Sequence, residues 1–210
     1  MVQFSPEAIL VSCSGYALVM LASMLKYYIS NRRKNDVSAL IIPWGSGTST
    51  LVKQFQEEYH ASSIYMLDLE DLVFKDDSVS SDMKNQLNIL KAGNDPVMYE
   101  SQLMIACNIV LIKVLGALKT DRNRKIIVCV SSVNIANYLG LKKQTSLTPQ
   151  GKLQKEILNK EACNPFLISY CRSQLDMKKK NSLIYTCFDD MLTIVEEKYK
   201  ISNESKKNLK

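Results

Sequence analysis

The chain has 210 residues, 46% of them hydrophobic and 23% charged, with a formal net charge of +6. That is the length and composition of one soluble globular domain with a sizeable core. A single histidine and six cysteines without a CxxC pair speak against a zinc site, suggest no nucleophile–base arrangement, and argue for a reducing compartment, cytoplasmic or otherwise intracellular.

Ser5-Pro6-Glu7 reads as a helix start, with a cap, a proline at the first position and an acid in the first turn. The 18 residues from Ala8 to Leu25 carry no charge and are followed by Lys26 and Arg32-Arg33-Lys34. That run meets the lower limit for a membrane span, and its basic flank could set an orientation. Yet Ser12, Gly15, Ala22/Ser23 and Lys26 share one stripe at helical spacing, the pattern of a helix buried through a small-residue face. Residues 1–35 are therefore expected to be an apolar N-terminal helix that docks through residues 8–30 on the body of the protein or on another subunit. A membrane anchor is the alternative.

Ser38-Ala39-Leu40-Ile41 reads as a strand and Leu51 to Tyr59 as a helix, with Ile42-Pro43-Trp44-Gly45-Ser46-Gly47-Thr48-Ser49-Thr50 between them. Strand, glycine-rich turn and helix is the setting of the phosphate-binding motif G-x-x-x-x-G-K-[ST]. The stretch resembles the P-loop of nucleotide kinases in its G-P-P-G-S-G-K-S-T form. Pro43, Gly45, Ser46, Gly47, Ser49 and Thr50 match it, Ile42 replaces the first glycine, and Thr48 replaces the lysine. The resemblance implies that Gly45, Ser46, Gly47, Thr48, Ser49 and Thr50 form a vestigial phosphate loop, with backbone N–H groups and a helix N-terminus facing an anion. It implies ATP or GTP with Mg²⁺ as the cofactor if binding survives, Ser49 being the hydroxyl that holds the metal. Thr48 has neither the charge nor the reach of lysine. Lys53 lies five residues on, about 140° around the helix and over ~7 Å along it, so it is badly placed to substitute.

Ser63 to Leu67 reads as the second strand, ending in Asp68-Leu69-Glu70-Asp71. In the resembled kinases a D-x-D pair there orients substrate or Mg²⁺; Asp68 and Glu70 fit the spacing, making Asp68 the second metal candidate. The competing reading is that Asp68 or Asp71 caps a following helix. Lys75 to Asp95 reads as a loop with a short helix, and Pro96 opens a long one over Val97 to Leu118, apolar at intervals of three and four. Lys125 to Ser132 is the clearest strand, its continuous β-branched run indicating burial on both faces. It ends in Ser131-Ser132 where the resembled enzymes carry the acid of their Mg²⁺ shell.

Short helices are expected over 134–140, 150–160 and 166–175, a strand over Ser182 to Cys187, and a helix from Met191 to Lys200. Arg172 and Lys178 are the candidates for a cationic lid. The runs Lys142-Lys143, Lys178-Lys179-Lys180 and the tail at 201–210, expected to be disordered, make nucleic acid a candidate partner through charge alone.

Strands alternating with helices predict an α/β fold: a parallel sheet flanked by helices, P-loop NTPase-like over residues 36–200, with an extra N-terminal helix. The expected function is that of a catalytically impaired P-loop domain acting as a structural or binding subunit of a larger assembly, a virus particle among the candidates. An active nucleoside or nucleotide kinase with an atypical loop is the runner-up, and a membrane-anchored relative the third.

Overall fold

The computed structural model describes residues 36–59, 64–118, 125–160, 165–176 and 182–201. The expected N-terminal helix, the basic tail, His60 and Lys178 lie outside these residues. Five strands, β1 (Asp36–Ile41), β2 (Ile64–Asp68), β3 (Lys125–Val130), β4 (Gln144–Pro149) and β5 (Ser182–Tyr185), form one sheet in the order β2-β3-β1-β4-β5. Every pairing is parallel, with Asp36 opposite Lys125 and Ala39 opposite Gln144. The fold is therefore α/β with an all-parallel sheet flanked by helices.

Eight helices accompany the strands among the described residues: α1 (Thr48–Glu58), α2 (Leu69–Lys75), α3 (Ser81–Ala92), α4 (Pro96–Ala117), α5 (Val133–Tyr138), α6 (Lys152–Lys160), α7 (Pro165–Asp176) and α8 (Asp190–Tyr199). The period-two alternation of the strands sorts them onto two faces. Val37, Ala39, Ile41, Ile126, Val128 and Val130 pack under α2, α3, α4 and α5. Leu40, Ile42, Ile127, Cys129 and Leu147 pack under α1, α6 and α8. Helix α7 serves both layers, Phe166 and Tyr170 entering the first and Cys171 the second.

Helix α4 carries the longest stripe of the first layer, burying Tyr99, Leu103, Ala106, Cys107, Val110, Leu111 and Leu115. Among the described residues it is also the helix long and apolar enough, by length and composition, to cross a membrane. Asp95 caps it, accepting from the Met98 N–H at 3.0 Å, and Pro96 opens its first turn. Ser80 caps α3 and Ser132 caps α5 in the same way.

The sequence reading is extended at one helix and corrected at one strand. The helix expected with a loop between Lys75 and Asp95 is α3, which spans 12 residues and buries Leu87, with Met83 and Leu90 partly buried beside it. The strand β4 was not expected at all. Gln144-Thr145-Ser146-Leu147-Thr148-Pro149 is polar on the face shared with Ala39 and Ile41, and proline closes it, so neither β-branched run nor apolar alternation announced it.

Candidate functional site

The chain leaves β1 toward β2, crossing β3, and leaves β3 toward β4, crossing β1. Loops after these neighbouring strands thus depart in opposite directions and open a crevice at their carboxyl ends, where ligands bind in open parallel sheets. A cleft of about 490 Å³ lies there, within the usual size range for small-molecule sites. Its walls include Trp44, Gly45, Gly47, Thr48, Ser49 and Thr50 from the turn after β1, Asp68, Glu70 and Asp71 after β2, Ser131 after β3, and Lys91 of α3. A larger cavity of about 980 Å³ runs beside β1 and β4, past Lys125, Lys142, Lys143 and Lys198. Asp36 is in its wall, and among the described residues no hydroxyl–carboxylate hydrogen bond like that of the cleft lines it.

The turn is held by backbone geometry only glycine adopts cheaply. Gly45 and Gly47 have φ of 75° and 93°. Gly47 is the N-cap of α1 and offers no side-chain acceptor, in contrast to the capped starts of α2, α3, α4 and α5. A Cβ on Gly47 would stand 2.7 Å from the Phe188 ring. Of the six residues assigned to the loop, Ser46 is the exception: it is fully buried, its carbonyl accepting from the Tyr185 hydroxyl at 2.6 Å, and it does not line the cleft. Thr48, Ser49 and Thr50 do line it.

Ser49 and Asp68, the expected metal pair, meet. The Ser49 hydroxyl donates to Asp68 Oδ2 at 2.9 Å. Asp68 Oδ1 accepts from the Asp71 N–H at 3.1 Å, so the same carboxylate also caps α2. The capping reading of Asp68 is thus a contact of the structure. Burial pushes the Asp68 carboxyl up, against the pull of the Asp71 and Ser49 hydrogen bonds.

Glu70 turns the other way. It is 9% exposed, and its Oε1 accepts from the Ser131 N–H at 2.6 Å. Burial pushes its carboxyl up to about 7, the Ser131 hydrogen bonds opposing and the Asp68 charge assisting. Both residues line the cleft, but their protein partners differ: Asp68 accepts from Ser49 at the start of α1, and Glu70 from the Ser131 N–H just after β3.

Behind the turn lies a contact network absent from the sequence reading. Gln174 of α7 is fully buried, accepts from the Trp44 N–H at 2.7 Å and donates to Ser131 Oγ at 2.9 Å. Ser131 Oγ also lies 3.3 Å from the Tyr170 hydroxyl, and Cys171 Sγ donates to the Trp44 carbonyl at 3.3 Å. A lone glutamine and cysteine in an amphipathic helix give no signal of this role. Arg172, expected in a lid, is on the exposed side of α7 and outside the cleft wall. Lys53 is exposed and 3.9 Å from Glu57 on the next turn, turned away as its spacing requires. Lys91, which no motif marked, puts its ammonium 4.9 Å from the centre of the Trp44 ring.

Comparison of the chain with protein-family models gives no match, and comparison with curated proteins gives none either.

Proposed function

We propose that residues 36–200 are a P-loop NTPase-like domain that holds a Mg²⁺-bound nucleoside triphosphate without transferring its phosphoryl group, and that the chain works as a binding or structural subunit of a larger assembly. The observation carrying this reading is the Ser49–Asp68 hydrogen bond of 2.9 Å at the mouth of the glycine turn. Serine and aspartate oxygens are the hard donors Mg²⁺ prefers, and the turn backbone together with the start of α1 would face the phosphates. Mg²⁺ supplies charge neutralisation to the phosphate oxygens when bound. Three carboxylates, Asp68, Glu70 and Asp71, line the cleft, so a bare polyphosphate would meet repulsion that a divalent cation relieves.

The absence of transfer rests on the residues where charge must be stabilised. Thr48 carries none, Lys53 is turned outward, and β3 runs out at Val130 into serine. Lost transition-state stabilisation of this kind costs commonly about 3–4 kcal/mol per group. Docking on a partner through residues 8–30 belongs to the same proposal, motivated by their uncharged run.

Thermal melting with and without Mg²⁺-ATP or Mg²⁺-GTP, paired with a phosphate-release assay, tests the reading. A ligand at 100 times its Kd should add about 2.7 kcal/mol of stability. A raised Tm without phosphate release is expected. Robust hydrolysis would overturn the loss of transfer, and an unchanged Tm with either nucleotide would overturn the binding.

A further inference from the structure

We infer that Lys91 is the cation of this cleft: it contacts the polyphosphate of the bound ligand, standing in from α3 for the charge that Thr48 does not bring. This rests on the nucleotide-binding reading and adds a residue to it. Three observations carry it.

First, Lys91 lines the same cleft as Thr48 and Ser49, although 43 positions separate it from Thr48. Second, its ammonium is not spent on a carboxylate. Asp68, Glu70 and Asp71 share the cleft, yet among the described residues no acid pairs with Lys91, and the ammonium rests 4.9 Å from the centre of the Trp44 ring. A cation on an indole face is held by the ring quadrupole alone, weakly enough to be released to a stronger partner such as a phosphate oxygen. Third, the residue that holds it is anchored. The Trp44 backbone N–H goes to Gln174, its backbone carbonyl takes the Cys171 thiol, and its side chain packs partly buried against the first core layer, while the lysine stem is flexible.

The ligand class that fits is a polyphosphate carried with Mg²⁺. Ser49 and Asp68 offer oxygens for the metal, and Lys91, in the wall of the same cleft, offers charge for the phosphate oxygens the metal leaves uncompensated. Because Trp44 is the chain's single tryptophan, its fluorescence reports this contact without interference.

The experiment titrates the full chain with Mg²⁺-ATP and with Mg²⁺-tripolyphosphate, reading Trp44 emission and thermal stability together. Wild type should show a saturable emission change and a raised Tm with both probes. Lys91→Ala should bind both at least about tenfold more weakly, and Lys91→Arg should restore most of the affinity. Lys91 is half-buried near the end of α3 and replaces no core contact, so both variants should fold. Equal affinity of Lys91→Ala and wild type would overturn the role of Lys91 while leaving nucleotide binding intact. Absence of binding by wild type itself would remove both.

Discussion

The Ser131 N–H donates to Glu70 Oε1 at 2.6 Å, which puts a carboxyl group at the end of β3, where the strand closes at Val130 and is followed by serine. The acid reaches this place from the first turn of α2. Residues 61 positions apart thus bring together an acid and a strand end that has none of its own. The price is a buried acid, since Glu70 loses water and gains a single well-formed backbone donor.

That burial has a pH consequence. Glu70 has its folded carboxyl near 7 against an ordinary 4.5, so the folded state binds the extra proton between those values. Stability from this group is therefore greatest below pH 4.5 and falls as pH rises through about 7. Glu70→Gln keeps an oxygen for the Ser131 N–H and removes the titration. The variant should match wild type near pH 5 and exceed it by about 1–3 kcal/mol near pH 8. Urea denaturation at the two pH values checks this; a difference that does not grow with pH would contradict it.

Gly47 and Gly151 separate backbone strain from steric collision. Both have positive φ, but a Cβ on Gly151 meets nothing within 4 Å whereas one on Gly47 meets Phe188 at 2.7 Å. Gly151→Ala should cost about 1–2 kcal/mol. Gly47→Ala should cost about 3 kcal/mol or more, since the ring or the turn must move. Chemical denaturation of the two variants side by side gives the comparison, and equal losses would show that Phe188 yields freely.

Gln174 joins the turn after β1 to the end of β3. Gln174→Leu keeps the volume but leaves the Trp44 N–H and Ser131 Oγ without this partner. A loss of about 2–4 kcal/mol is expected, with faster amide exchange at Trp44. Hydrogen exchange at that amide is the decisive readout, because general core damage would not single it out.

Thr48→Lys tests descent from a working loop. The side chain would enter the cleft beside Ser49, and Mg²⁺-ATP affinity should rise about tenfold or more, measured by calorimetry. Omitting Mg²⁺ should weaken ATP binding by wild type, because Asp68, Glu70 and Asp71 then face the phosphates unscreened. Tighter binding in EDTA than in Mg²⁺ would contradict the assigned roles of Ser49 and Asp68.

Much of the sheet was legible. The apolar run of β3, the strand before the glycine turn and the Pro96 start of α4 each carry a local signal: continuous β-branching, Gly-X-Gly, a proline after an aspartate. The strand β4 was not legible, because the face it shares with Ala39 and Ile41 is polar and its pairing with β1 spans only Gln144 to Ser146 opposite Ala39 to Ile41. Within the cleft, Ser49 and Asp68 were singled out by the resemblance to the kinase P-loop. Lys91 and Gln174 did not, since single polar residues on helix faces look alike until the partner surface is known.

By itself, then, the amino-acid order determined the alternation of strand and helix, the left-handed glycines at the turn and the missing basic side chain at position 48. Those are properties of neighbours, set by sterics and side-chain chemistry over a few residues. The tertiary structure decided which carboxylate stands at the end of β3, which lysine shares the cleft, and that Ser46 faces inward. Each is fixed by packing between segments tens of residues apart, where the order of strands in the sheet, not the spacing along the chain, sets what meets what.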